Sequence, residues 1–201
     1  MECDATLGCQ QLDISTTVDL ISDSLRDGSF ENGGIRPNSS WTETGAFWVI
    51  AVCESGAPCG SFSSTTAASH GVILAWFGGV NSDTVGINQS IALPVGTVAL
   101  QLTADTNFET EEVAGDGAYD LFTARITNTG GAELYEIVSF SNEDAAQVGT
   151  ATWANDGIDV SFDATAWAGG TIKLEMESVT DPSSLSDFFI DNIRLTATVC
   201  Q

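Results

Sequence analysis

Apolar and polar side chains alternate with a period of two along most of the chain from residue 46 onward. Val98, Leu100 and Leu102 interleave with Thr97, Ala99 and Gln101, and Ile158, Val160 and Phe162 with Asp159, Ser161 and Asp163. Ile172, Leu174 and Met176 interleave with Lys173, Glu175 and Glu177 in the same way. Successive side chains of a strand point to opposite faces, so each segment reads as a strand with one face buried and one in water. Phe122, Ala124 and Ile126 mark another, ended by Asn128-Thr129-Gly130-Gly131, and 132–140 a further one. Segments 70–77 and 188–199 are more continuously apolar, as strands covered on both faces are. Helical spacing is confined to 16–25, where an alternating fit is equally good, and to one turn at 144–147. About ten short strands, punctuated by Gly, Asn, Asp and Ser, predict an all-β, antiparallel two-sheet jelly-roll β-sandwich. No linker or composition break divides the chain after residue 28. The expected organisation is an N-terminal extension, 1–27, and one sandwich domain, 28–201.

Charge narrows the partners. Of 201 residues, 5 are Lys or Arg and 28 are Asp or Glu, a formal net charge of −23. A surface of that sign repels phosphate, which excludes nucleic acid and anionic membrane surfaces as partners. No apolar run is long enough to span a membrane, so membrane insertion is excluded as well. The cations are Arg26, Arg36, Arg125, Lys173 and Arg194. Most carboxylates must therefore face water or a bound cation.

Catalytic signatures are thin. His70 is the sole histidine, and with Val72, Leu74 and Trp76 it opens an apolar row that reads as core-facing. The chain has no G-x-S-x-G elbow, H-E-x-x-H pair, P-loop or dinucleotide fingerprint. Counting carboxylates leaves a glycoside hydrolase or lyase open, and a non-catalytic role is the stronger reading.

Five cysteines point to an oxidising, extracellular or cell-surface setting. Cys53 and Cys59 bracket a short loop tipped by Gly56 and Pro58, and Cys3 and Cys9 bracket another. Two local disulfides with Cys200 left over is the leading pattern. The alternative ties Cys200 to Cys3 or Cys9.

Three acidic segments are candidate metal sites. In Phe188-Phe189-Ile190-Asp191-Asn192-Ile193-Arg194-Leu195, strict alternation places Asp191 in one row with Phe189, Ile193 and Leu195. A carboxylate on an apolar face is costly unless it is paired or metal-bound, and calcium takes such oxygens readily. In 26–34, Arg-Asp-Gly-Ser-Phe-Glu-Asn-Gly-Gly, the glycines allow an irregular path and Asp27, Glu31 and Asn32 supply oxygens. The stretch 109–120 carries five acids but also Asp116-Gly117, an ordinary turn signal, and reads as a solvated loop.

These motifs together resemble a known group. An Asp27-Gly28-x-Phe30-Glu31 turn, then a Trp, then Gly71-Val-Ile-Leu-Ala-Trp-Phe-Gly-Gly79, an Ile87-x-Gln-x-Ile-x-Leu-Pro94 strand and the Phe188–Leu195 segment look like a galactose-binding-like jelly roll. The chain is similar to accessory domains of secreted bacterial proteins and, more distantly, to MAM-type domains. The resemblance implies a structural Ca2+ held by Glu31 and Asp191, with Asp27 and Gly28 of the preceding turn contributing, pinning the first strand against the last. It implies a secreted or cell-surface binding or adhesion module with a polysaccharide or glycoprotein partner. Trp41 and Trp167, which lie near turns, are the candidate sugar platform. The alternative is a self-assembling structural subunit, filament or surface layer, that uses the apolar extension for self-association.

Overall fold

The computed structural model describes residues 10–13, 25–32, 40–45, 52–54 and 66–200. Its strands are β1 (Gln10–Asp13), β2 (Thr42–Gly45), β3 (Val52–Glu54), β4 (Ile73–Gly78), β5 (Thr84–Ala92) and β6 (Thr97–Thr110). They continue as β7 (Leu121–Thr127), β8 (Glu133–Ser141), β9 (Ala146–Gln147), β10 (Ala154–Asp163), β11 (Thr171–Val179) and β12 (Ser186–Val199). Short 3-10 turns occupy Asn142–Asp144 and Thr165–Trp167. No helix among the described residues is long and apolar enough to cross a membrane.

The period-two rows become the inner faces of two sheets. Leu100, Leu102 and Ala104 of β6, Phe122, Ala124 and Ile126 of β7, and Ile172, Leu174 and Met176 of β11 are all buried in one core. The first sheet runs β10-β6-β12-β4-β3, with β1 added on β12 and β9 on β6; the second runs β2-β5-β11-β7-β8. Strand β12 pairs with β4, β11 with β5, β10 with β6, and β8 with β7, all antiparallel. That nesting is a long hairpin wrapped on itself, with its partners shared between two sheets. It is a jelly-roll β-sandwich, the predicted class.

Strand β12 organises the first sheet. Along one edge it pairs with β6 over nearly its whole length. Along the other it pairs with β4 through residues 187–190 and with β1 through residues 196–199. Between them the Ile193 N–H donates to the Gly28 carbonyl at 2.9 Å, so the 25–32 segment fills the gap. Part of the extension thus folds back on its own domain.

Two rows differ from strict alternation. Phe188, Ile190, Ile193, Leu195 and Ala197 face the core, whereas Phe189 packs on the outer face with Leu74 and Cys53. The register against β6 shifts between Asp191 and Arg194, where Asn192 has φ +52°. This bulge inserts a residue and swaps the faces. Asp191 therefore shares a row with Phe189 but not with Ile193 or Leu195. In β4, Ala75 and Phe77 are the core residues, while Leu74 and half-buried Trp76 lie outside. His70 is exposed and Val72 is 52% exposed, so the row they open is not core-facing.

The 109–120 stretch is not one solvated loop either. Glu111 and Asp116 are exposed, but Glu109, Glu112 and Asp120 are buried. Cys53 and Cys200 are disulfide-bonded, so Cys200 is not left over as the leading pattern expected. They are not each other's partner. Cys53 lies opposite Leu74, beside Ala75 and its partner Ile190, and ten residues of extended chain, roughly 30 Å, separate Ile190 from Cys200. Cys3, Cys9 and Cys59 lie outside the described residues, as do 16–24 of the segment with helical spacing.

Candidate functional site

The turn at 27–32 is built before any ion is considered. Asp27 and Phe30 both have left-handed backbones, with φ of 54° and 63°. Such conformations persist in non-glycine residues only when their surroundings hold them. Here the Phe30 N–H and the Trp41 Nε1–H both donate to the Asp27 carbonyl, at 3.1 and 3.0 Å. The Asn32 N–H donates to Asp27 Oδ1 at 2.9 Å, and fully buried Phe30 packs 5.7 Å from the Trp41 ring. Gly28 is required for a different reason. A Cβ there would lie inside van der Waals contact with the Ile193 carbonyl oxygen.

Glu31 and Asp191 meet on one short segment, 70–73. Glu31 Oε1 accepts from the N–H groups of Val72 and Ile73, at 2.8 and 2.7 Å. Its carboxylate lies over Gly71, whose φ is +71° and where a Cβ would fill the space it occupies. Asp191 Oδ2 accepts from the His70 N–H at 2.8 Å, and Oδ1 from the Asn192 N–H at 2.7 Å. The four residues named from sequence thus divide. Glu31 and Asp191 converge on 70–73, Gly28 is tied to the same stretch of β12 through Ile193, and the Asp27 carboxylate turns to its own loop.

Asp191 is the electrostatic centre. It is fully buried, and burial is the dominant effect on its carboxyl, pushing it up from 3.8 to about 6. The two N–H donors lower it, and the neighbouring Asp105 charge raises it further. Asp105 is the cross-strand partner of Asp191 and is 5% exposed. Its oxygens accept from the Asp156 N–H at 3.0 Å, from the Ser69 hydroxyl and from Asn192 Nδ2 at 3.4 Å. Arg194, the cation of this strand, is exposed and donates to Asn192 Oδ1 at 3.2 Å rather than to either carboxylate. Two adjacent buried carboxylates with hydrogen bonds from neutral donors fit a hard, oxygen-seeking cation. No three Asp, Glu, His or Cys side chains among the described residues gather round one point, so calcium here would draw on main-chain carbonyls as well.

The aromatic candidates are redistributed. Trp41 is 3% exposed, its N–H is bonded to the Asp27 carbonyl, its ring packs beside Phe30, and it serves the 27–32 turn. Trp167 is half-buried and packs on the core, 6.4 Å from Phe162, which stacks on Tyr135 at 4.8 Å. Two half-buried indoles missed at the sequence level, Trp76 and Trp153, lie instead with Phe189 on the outer face of the first sheet. Trp76 Nε1 donates to Asp187 Oδ1 at 2.8 Å, and Trp153 Nε1 to the Ala67 carbonyl at 2.7 Å. Asn107, the cross-strand partner of Phe189, and Glu109, the partner of Asp187, are buried. Asn107 Oδ1 and Glu109 Oε1 have no hydrogen-bond partner. The signal was available in the alternation of Trp76 against Phe77, once Phe77 is assigned to the core.

No protein-family model and no curated protein sequence matches the chain. Among solved structures, it is similar to TmCBM61 in complex with β-1,4-galactotriose, at 19% identity and a TM-score of 0.49, over 87% of this chain and 98% of that one. It is similar to the CBM22-1 xylan-binding domain from Paenibacillus barcinonensis Xyn10C, at 17% identity and a TM-score of 0.45, over 87% and 93%. The K2 cleaved adhesin domain of Lys-gingipain aligns at 14% identity and a TM-score of 0.47, over 84% and 95%. These are likenesses of fold alone.

Proposed function

We propose that this chain is a calcium-stapled, non-catalytic carbohydrate-binding module of extracellular or cell-surface proteins. The observation that carries the reading is the fully buried Asp191, paired in register with Asp105 and placed where the 27–32 turn docks on β12. A calcium ion there, held by Glu31 and Asp191 with main-chain oxygens, would neutralise the carboxylates of Asp191 and its cross-strand partner Asp105. Bound only by the folded state, it would stabilise the fold by mass action. Disulfide bonding at Cys53 and Cys200 supports the oxidising location.

The carbohydrate surface in this reading is the outer face of the first sheet. Sugars are recognised by aromatic faces together with amides and carboxylates that bond their hydroxyls. Trp76 and Trp153, each partly exposed, supply the aromatic faces. Pairing of β1 with the chain's own β12 uses residues 10–13 in cis, which favours this reading over subunit-to-subunit strand addition. Affinity electrophoresis through gels containing soluble galactan, xylan or glucan tests it. At least one polysaccharide should retard the parent, and Trp76→Ala or Trp153→Ala should abolish the retardation. Retardation unaffected by either substitution would reject this face as the binding surface, and no retardation by any glycan would reject the carbohydrate reading.

A further inference from the structure

A second group of carboxylates lies away from the staple. Asp120, directly before β7, is fully buried, and Glu112, two residues after β6, is 8% exposed. Nearby, Thr110 and Ser186 share a hydroxyl–hydroxyl bond of 2.9 Å across β6 and β12. Both acids are held by their surroundings. The Glu112 N–H donates to Thr110 Oγ1 at 2.9 Å, and its carbonyl accepts from Gln147 Nε2 at 2.7 Å. Asp120 Oδ1 accepts from the Asp181 N–H at 2.8 Å, and the Asp120 N–H donates to Asn142 Oδ1 at 3.1 Å.

What is left over is one oxygen on each. Asp120 Oδ2 and Glu112 Oε1 are buried without a hydrogen-bond partner. A buried acceptor in that state loses its hydration and gains nothing in return. Burial pushes the Glu112 carboxyl above the ordinary range, and the charges of Asp120, Asp181 and Asp116, all negative, raise it further. Burial likewise raises Asp120, against the Asp181 N–H on its Oδ1 and the nearby Ser186 hydroxyl, which lower it. The ion pairs between described residues lie elsewhere, from Arg125 to Glu175 and Glu177 in the second sheet. A single proton shared by the two acids would neutralise one charge of the cluster. A divalent cation would neutralise two and satisfy both unpaired oxygens.

We propose that a divalent cation, calcium by the all-oxygen character of the donors, binds between Asp120 and Glu112 at this end of the sandwich. The site is separate from the staple. Ser186 and Asp191 are five residues apart on β12, roughly 17 Å along an extended strand.

Equilibrium dialysis of the full chain against micromolar calcium, at about 150 mM monovalent salt to suppress diffuse binding, counts the tightly bound ions. The parent is compared with Asp120→Asn, Glu112→Gln and Asp191→Asn, each checked for its sheet circular-dichroism spectrum. Glu112, nearer the surface, keeps the test open if Asp120→Asn does not fold. The expected result is a loss of one ion per chain in Asp120→Asn and in Glu112→Gln. Counts equal to the parent's in the folded variants would overturn the site and leave a shared proton or a buried water as the occupant. If Asp191→Asn keeps the parent's count while the other two lose an ion, the staple reading fails and this one stands.

Discussion

Replacing Asp191 by asparagine removes a charge while keeping the shape, and it should change how stability depends on pH. In the folded chain this carboxyl titrates near 6, against an ordinary 3.8, because the His70 and Asn192 N–H groups do not offset its burial. Between those two values the native state holds a proton that the unfolded state has released. Stability therefore falls as pH rises through this window, and the full penalty is present above about 6. A difference of about 2 units corresponds to roughly 3 kcal/mol. Asparagine is neutral throughout. It exchanges one acceptor oxygen for an NH2 group and so costs about 1–3 kcal/mol at His70 or Asn192, but that cost does not vary with pH. Asp120 and Glu112, also raised by burial, contribute slopes of the same sign that cancel between parent and variant. Urea unfolding followed by tryptophan fluorescence, in calcium-free buffer at pH about 4 and about 7, measures the comparison. The stability of the parent relative to Asp191→Asn should drop by up to about 3 kcal/mol from the lower pH to the higher. A relative stability equal at both values would rule out a carboxyl raised by burial at this position.

Gly28→Ala should destabilise the domain by about 2–3 kcal/mol in urea unfolding, because its Cβ collides with the Ile193 carbonyl rather than with a movable side chain. Gly71→Ala places a Cβ against the Glu31 carboxylate at a left-handed position, so it should weaken calcium affinity in the same dialysis assay as well as lower the melting temperature. Trp167→Ala should lower the melting temperature by removing packing against Phe162, while leaving retardation in polysaccharide gels unchanged.

The sandwich was legible because its strands are half-buried and alternate cleanly. Leu174 and Met176 could be assigned to the core from Lys173 and Glu175 alone. Asp191 was legible for a partly mistaken reason. It is buried as its apolar neighbours suggested, but it faces outward with Phe189, because the Asn192 bulge reverses the row. A bulge adds one residue and leaves no mark in the pattern, except that asparagine tolerates φ > 0. The outer-face tryptophans were missed because Leu74 and Trp76 are apolar on a face that the alternation rule assigns to water. What covers that face comes from the adjoining residues 67–70 and from 149–156, the latter far away in sequence. Trp41 near a turn read as exposed, yet its N–H caps the Asp27 carbonyl, a contact fourteen residues long in sequence that no local signal announces.

The calcium staple proposed above requires a specific divalent cation, and not general screening of a −23 chain, to pin the 27–32 turn to β12. Melting temperatures in millimolar calcium and in sodium at matched ionic strength, for the parent, Glu31→Gln and Asp191→Asn, separate the two explanations. The staple predicts that calcium raises the parent well above its melting point in sodium, with most of that difference lost in both variants. Equal stabilisation of the parent by the two salts, or variants that respond to calcium as the parent does, would contradict it.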